Sequence, residues 1–102
     1  MFYSINNIDQ QLNEKYFSSK NKGLFIEAGA NNGLLQSNTA YFETQHQWTG
    51  ILVEPIFEQF QACVRNRNFN TIILNKALGI EDNQRIELLY TPESNGLMST
   101  VA

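Results

Sequence analysis

The sequence has a single cysteine among its 102 residues, so an internal disulfide is excluded. None of its apolar runs approaches the roughly 18 residues that a membrane-spanning helix needs. The first residues also lack the basic and apolar stretches of a signal peptide. Positive charge is scarce, because seven Lys and Arg stand against ten Asp and Glu. We therefore expect a cytoplasmic protein that binds neither membranes nor nucleic acid.

Residue types that bind metals are few as well. The one histidine, His46, has no cluster of Cys, Asp or His around it, so we predict no metal site and place it on a solvated helix end. Cys63 follows Phe57 and Phe60 at helical spacing, which is typical of a buried thiol on a helix. Trp48 is predicted to pack in or beside the core.

The composition is that of one small folded domain, with 42% hydrophobic and 17% charged residues. Ile8, Leu12 and Tyr16 recur every four residues, which predicts an amphipathic helix over roughly 8–18, with Asn7 as its N-cap. We assign 1–22 to this amino-terminal helix and a linker. We assign 23–102 to the main domain.

Three continuous apolar runs, 24–28, 51–53 and 71–74, alternate with two helical patterns at about 36–46 and 56–66. Strand, helix, strand, helix, strand is the pattern of an α/β fold, and continuous apolar runs favour parallel strands covered on both faces. A less regular run at 85–90, after a turn at 81–83, predicts an edge strand.

The segment 27–33 lies where the first strand gives way to the first helix. Its glycines, Gly29 and Gly33, allow a tight turn and a close approach of the backbone to a ligand. The following helix would present unpaired N–H groups to that ligand. The dinucleotide motif G-x-G-x-x-G does not fit, because Asn31 stands where it needs its second glycine. Glu27, two residues before Gly29, instead resembles the acid of methyltransferase motif I. The alternative is a plain turn without a ligand.

Glu54 closes the second predicted strand, 25 residues after Gly29. A carboxylate at the carboxyl end of such a strand can accept hydrogen bonds from both hydroxyls of a ribose. The alternative is an acid favoured by the dipole of the helix that follows. Pro55 fits both interpretations, because proline is tolerated in the first turn of a helix.

Four blocks of the sequence, in this order and spacing, resemble those of FkbM-like S-adenosylmethionine-dependent methyltransferases: 25–33, 37–39, 48–55 and 75–79. The resemblance covers about 23–100. It implies a partial Rossmann-like class I methyltransferase fold, with mostly parallel strands in the order 3-2-1, flanking helices and an extra edge strand. It also implies transfer of a methyl group to a hydroxyl of a small molecule, such as a sugar or a secondary metabolite.

The same resemblance implies a set of residues that bind S-adenosylmethionine: Glu27, Gly29, Ala30, Asn31, Gly33, Glu54, Pro55, Lys76 and Ala77. Glu27, Gly29, Asn31 and Gly33 would line the methionine end of the cofactor. Glu54 would hold the ribose hydroxyls, and Lys76 and Ala77 would lie near the adenine. Asn32 stands at a position where such families often have an acidic residue. Asn38 and Thr39 are expected to cap and anchor the first helix of the domain.

The sequence lacks the Asp-x-Glu-Gly segment that ends the fourth strand in this family. We therefore expect only the cofactor-binding half of the fold and assign no catalytic residue. A different nucleotide-binding α/β module, such as an NAD-dependent one, and a non-catalytic remnant are the alternatives. In such a half, the apolar strand 24–28 has a free edge, which predicts self-association or marginal stability.

Overall fold

Three short parallel strands form the centre of the structure. The computed structural model describes residues 1–79 and the backbone of 88–89 and 100–101. Strands β1 (Leu24–Ala28), β2 (Thr49–Val53) and β3 (Ile72–Leu74) form one open sheet in the order β1-β2-β3. Helix α2 (Ala40–His46) joins β1 to β2, and α3 (Phe57–Asn66) joins β2 to β3. The predicted α/β fold and the strand order 3-2-1 are confirmed.

The register of the sheet brings the ends of the strands together. Ala28 at the end of β1 lies beside Val53 at the end of β2, and Val53 lies beside Leu74 at the end of β3. Because all three strands are parallel, the loops that leave their carboxyl ends start from the same edge of the sheet. This edge carries the segments in which the sequence predicts a site.

One face of the sheet is covered by the helices. Phe25 and Leu52 are buried on this face, in a cluster with Phe42, Trp48 and Cys63. The rings of Phe42 and Trp48 have centroids 4.9 Å apart. The predictions of a buried Cys63 thiol and of a packed Trp48 are therefore confirmed.

The opposite face of the sheet is open within the described residues. Leu24 and Ile26, which alternate with Phe25 along β1, are 80% and 76% exposed, and Ile72 of β3 is 57% exposed. The expectation of strands covered on both faces is wrong for this part of the chain. The reason is that α2 and α3 both contribute to the single core on the Phe25 side.

The amino-terminal helix is shorter and less regular than predicted. A 3-10 turn (Ile5–Asn7) precedes α1 (Ile8–Leu12), and a π-helical turn (Asn13–Phe17) follows it. A π turn holds an extra residue, so it rotates the following side chains around the helix axis. Phe17 therefore packs against the core, as Leu12 of α1 does, whereas Tyr16, expected on the apolar face, is exposed.

Asn7 does not cap this helix, contrary to the prediction. It adopts a left-handed conformation with φ 58° and makes no side-chain capping bond. The buried carboxylate of Asp9 organises the turn instead, because its Oδ2 accepts bonds from the backbone N–H groups of Tyr3 (2.6 Å) and Ser4 (3.1 Å). The Asp9 N–H in turn donates to Ser4 Oγ at 3.1 Å.

The predicted edge strand does not extend the three-stranded sheet. Strand β4 (Leu88–Leu89) pairs antiparallel with β5 (Thr100–Val101) in a separate two-stranded sheet. The rest of 85–90 and the predicted turn at 81–83 lie outside the described residues. Among the helices that are described, none has the length and apolarity to cross a membrane.

The free edge of β1 and the open apolar face beside it predict self-association. We expect the chain to sediment as a dimer or larger species at micromolar concentrations, because unprotected apolar edges pair with other strands. Ile26→Lys places a charge on this face and should weaken association roughly tenfold or more. Sedimentation velocity measures the effect. Val64→Lys on α3 is the matched control, because it also replaces an exposed β-branched residue by lysine, and it should not change association. A monomeric wild-type chain that melts cooperatively would contradict the prediction.

Candidate functional site

The loop after β1 is tied to the end of β2. The N–H groups of Gly29 and Ala30 both donate to the carbonyl of Val53, at 2.8 and 3.1 Å. The next N–H, that of Asn31, donates to Glu54 Oε1 at 2.7 Å. The structure therefore brings together the glycine segment and the acid that the sequence singled out separately.

Glu54 is buried and holds two segments of backbone. Its Oε1 accepts the bond from Asn31, and its Oε2 accepts one from the N–H of Ile56 at 2.7 Å. Helix α3 begins one residue later, so this carboxylate binds the chain that leads into the helix and the glycine loop together. Each carboxylate oxygen has two acceptor sites, so Glu54 retains capacity for further donors.

Asn31 is the residue whose hydrogen bonding is incomplete. It is 4% exposed and left-handed, with φ 54°. Its backbone is engaged, because its carbonyl also accepts a bond from Cys63 Sγ at 2.8 Å. Its side-chain Oδ1 and Nδ2 are buried with no hydrogen-bond partner among the described residues. An amide buried in this way costs about 1–3 kcal/mol, so the position favours an additional polar partner.

The two glycines of the loop have different surroundings. Both have positive φ, 69° at Gly29 and 90° at Gly33, which favours glycine. A Cβ at Gly29 would meet no atom within 4 Å, so this residue borders open space. A Cβ at Gly33 would lie 2.9 Å from Arg67 Cγ and 3.3 Å from Cys63 Cα. Gly33 therefore allows the loop to pack closely against α3, and Ala30 between the two is buried.

The loop does not lead directly into a helix, contrary to the prediction. Asn32 Oδ1 accepts bonds from the N–H groups of Leu34 (2.9 Å) and Leu35 (2.8 Å), which bends the chain into a turn. Helix α2 begins only at Ala40, later than the expected start near residue 36. The unpaired N–H groups of its first turn are consequently not part of the glycine loop.

Ser37 caps α2, whereas the sequence predicted that Asn38 and Thr39 would cap it. Its Oγ accepts bonds from the N–H groups of Thr39 (3.2 Å) and Ala40 (3.0 Å). Thr39 occupies the N-cap position but makes no side-chain capping bond. Asn38 Oδ1 accepts a bond from Ser4 Oγ at 2.7 Å, so it anchors the amino-terminal segment.

Glu27 at the end of β1 is bound by two hydroxyl groups. Ser37 Oγ and Thr39 Oγ1 both donate to its Oε1, at 3.0 and 2.5 Å. Its other oxygen, Oε2, has no hydrogen-bond donor among the described residues. Glu27 is only half-buried, so this second oxygen is available to a cationic or hydroxyl donor.

The third predicted segment lies beside the end of β2 and is more exposed. Asn75, which the sequence left without a role, donates from Nδ2 to the carbonyls of Glu54 and Pro55, each at 3.0 Å. Lys76 is exposed and Ala77 is half-buried. Hydrogen bonds from these two residues to the glycine loop are not found in the described part of the chain.

Sequence reasoning missed a buried ion pair behind the loop. The Nε of Arg67 donates to Glu43 Oε2, and both side chains are almost fully buried. Glu43 Oε1 also accepts bonds from Asn68 N (2.5 Å) and Thr71 Oγ1 (3.2 Å). Glu43 lies in α2 and Arg67 directly after α3, 24 positions later, so no local spacing in the sequence indicates their contact.

No group of His, Cys, Asp and Glu within residues 1–79 could hold a metal ion. His46 lies at the end of α2 as expected but is half-buried. Its Nδ1 and Nε2 each lie 3.0 Å from an amide oxygen, those of Asn21 and Asn13.

Comparisons of the chain with protein-family models, with curated proteins and with solved structures gave no match.

We expect the buried thiol of Cys63 to react slowly in the folded chain. Desolvation raises the pKa of Cys63 from 9.0 to about 12, and the negative charge of Glu54 adds to the rise. At about pH 8 the folded protein should react with iodoacetamide roughly 1000-fold more slowly than the urea-unfolded chain, because only the thiolate reacts. Equal rates in the two states would contradict this prediction.

The raised pKa of Cys63 also predicts how the free energy of unfolding changes with pH. A raised pKa means that the unfolded chain releases its proton first, so the free energy of unfolding should fall as the pH rises from 9.0 towards about 12. Urea titrations of Cys63→Ala, which has no thiol, provide the control and should show a weaker fall over the same range.

Proposed function

We propose that this chain binds S-adenosylmethionine at the carboxyl ends of β1 and β2, as the cofactor-binding part of an FkbM-type O-methyltransferase. The observation that carries the proposal is the side-chain amide of Asn31 in the glycine loop, which is buried and has no hydrogen-bond partner among the described residues. Folded proteins rarely leave such groups unpaired, and a bound polar ligand is one reason for an exception. The loop lies where parallel α/β sheets bind their ligands.

The residues around Asn31 fit such a cofactor chemically. Gly29 borders open space, which allows a ligand to approach the backbone. Glu27 Oε2, which has no donor within residues 1–79, would accept hydrogen bonds from the amino group of the methionine part. Glu54 retains acceptor capacity for ribose hydroxyls beside its bonds to Asn31 and Ile56.

When bound, the cofactor supplies a methyl group on a positively charged sulfur, and the acceptor is a small molecule with a hydroxyl. The described residues contribute binding and orientation: carboxylates at two strand ends fix the two polar ends of the cofactor. Holding reactants in an in-line arrangement accounts for much of the rate enhancement in such transfers. We assign neither the acceptor nor a catalytic base to residues of this chain.

An acid at the end of β2 would also suit the ribose of NAD, so the choice of cofactor is tested directly. Calorimetric titration of the chain with S-adenosylmethionine, S-adenosylhomocysteine and NAD should show binding of the first two in preference to the third. Tighter binding of NAD would refute the proposal in favour of a dinucleotide-binding module. Binding of none of the three would refute it in favour of a non-catalytic remnant.

Glu54→Ala should weaken binding of S-adenosylhomocysteine by roughly 10–100-fold, about 1.5–3 kcal/mol, the usual range for hydrogen bonds to a charged group. Glu58→Ala is the matched control, since Glu58 is an exposed acid in the first turn of α3. The control should bind like wild type. An unchanged dissociation constant in Glu54→Ala would mean that this carboxylate only secures the loop.

The variant Asn31→Gly tests whether the side-chain amide of Asn31 contributes to the stability of the fold or to binding of the cofactor. The left-handed backbone suits glycine, and the variant removes an unpaired amide worth about 1–3 kcal/mol. We expect a free energy of unfolding no lower than that of wild type, together with roughly tenfold weaker binding of S-adenosylhomocysteine.

Gln36→Gly is the control for this variant. Gln36 is also left-handed, with φ 58°, but its side chain is exposed. It should leave the dissociation constant unchanged. A destabilised Asn31→Gly that binds normally would show that the amide serves the fold and not a ligand.

A further inference from the structure

We infer that Arg67 is a positioning residue that acts through the hydroxyl of Thr39 to fix Glu27 for an ammonium group of the ligand. The inference rests on the proposed function and extends it to the selection of the amino-acid end of the cofactor. Arg67 itself lies behind the loop and is buried, so it would not touch the ligand.

The direction of the hydrogen bonds in this relay is determined by chemistry. A guanidinium group can only donate, and Arg67 Nη2 donates to Thr39 Oγ1 at 3.0 Å. The Thr39 hydroxyl therefore accepts with its oxygen and points its single hydrogen at Glu27 Oε1, 2.5 Å away. The carboxylate can only accept. The positive charge of Arg67 is thus coupled to the negative charge of Glu27 by one hydroxyl.

Ser37 engages the same oxygen of Glu27, because its Oγ donates to Glu27 Oε1 at 3.0 Å. Arg67 Nη1 lies 3.4 Å from Ser37 Oγ, but the N–H groups of Thr39 and Ala40 already occupy the two acceptor sites of that oxygen, so Thr39 is the main link to Arg67. Both hydroxyls end on Oε1 and leave Oε2 without a donor among the described residues. The relay therefore orients the carboxylate so that one oxygen is engaged by the protein and the other is kept for a ligand.

Arg67 is well fixed for this role. Its Nε is paired with Glu43, its Nη1 also donates to the carbonyl of Gly33 at 2.9 Å, and its guanidinium lies 5.3 Å from the centre of the Phe25 ring. A lysine could not make these bonds together, because they need the planar fork of a guanidinium. The arrangement ties the loop, α2 and the end of α3 to one rigid group.

The ligand class that this geometry selects is a nucleoside with a nearby primary ammonium group. S-adenosylhomocysteine carries that group. 5′-Methylthioadenosine contains the adenosine and the sulfur but lacks the amino-acid part. A defect in the orientation of Glu27 should weaken binding of the first compound and spare the second, whereas general damage to the site should weaken both.

The experiment compares the two ligands by calorimetry on the full chain. Thr39→Val removes the hydroxyl with little change of shape, and we expect roughly tenfold weaker binding of S-adenosylhomocysteine. Binding of 5′-methylthioadenosine should stay within about twofold of wild type. Thr39→Ser restores the hydroxyl and should restore binding. Thr44→Val is the matched control, because the Thr44 hydroxyl bonds only carbonyls of its own helix.

A second variant tests the Arg67 end of the relay. The double substitution E43M/R67M removes both charges, since removal of one alone would leave its partner buried and unpaired. It should weaken binding of S-adenosylhomocysteine at least as much as Thr39→Val does. It should also weaken binding of 5′-methylthioadenosine, because the glycine loop loses the bond from Arg67 to Gly33. Adding Thr39→Val to it should cause no further loss, because both changes interrupt one path.

The outcomes separate the two proposals. Loss of affinity for both ligands alike in Thr39→Val, no loss for either, or fully additive losses in the combined variant would overturn the relay while the cofactor assignment stands. Failure of the wild-type chain to bind S-adenosylhomocysteine would overturn the proposed function itself and this inference with it.

Discussion

The buried ion pair between Arg67 and Glu43 is the interaction on which the site depends. Burying two charges costs several kcal/mol per ion, and the attraction between them offsets this only when the remaining donors and acceptors are also bonded. That condition is met here. The guanidinium also donates to Gly33 and Thr39, and Glu43 accepts bonds from the segment before β3. The pair therefore joins α2, the end of α3 and the glycine loop in one network.

This network explains how a loop without a helix behind it keeps its shape. In many nucleotide-binding folds a glycine turn leads straight into a helix, whose first N–H groups meet the ligand. Here the turn at Asn32 separates the glycine loop from the next helix, and the loop is held by hydrogen bonds to carboxylates instead. Glu54 holds the backbone of Asn31 from one side, and Glu27 receives two hydroxyls from the other. Asn31 is left as the buried polar side chain whose bonding the described residues do not complete.

Much of the fold could be predicted because the signals are local or follow from general geometry. Apolar runs located the strands, and the shared edge of parallel strands brought the glycine loop to Glu54. What could not be predicted depends on three-dimensional neighbours. The π turn directs Phe17 towards the core, and such a turn has no regular hydrophobic period that the sequence could show. Ser37, and not Asn38 or Thr39, caps α2, because its hydroxyl contacts both the N–H of Ala40 and the carboxylate of Glu27. The contact of Arg67 with Glu43 exists only after two helices have packed.

Within the described residues the sheet is covered on one face only, and the candidate site at its carboxyl edge does not depend on the open face. Glu27 lies on the same face of β1 as Phe25, and its partners come from the segment that leads into α2. Glu54 is bonded to backbone that lies before α3 and after β1. Every described bond that shapes the loop thus comes from the covered side of the sheet or from its carboxyl edge. Leu24 and Ile26 contribute nothing to these bonds, so association through the open face and binding at the strand ends are physically separate properties of the chain.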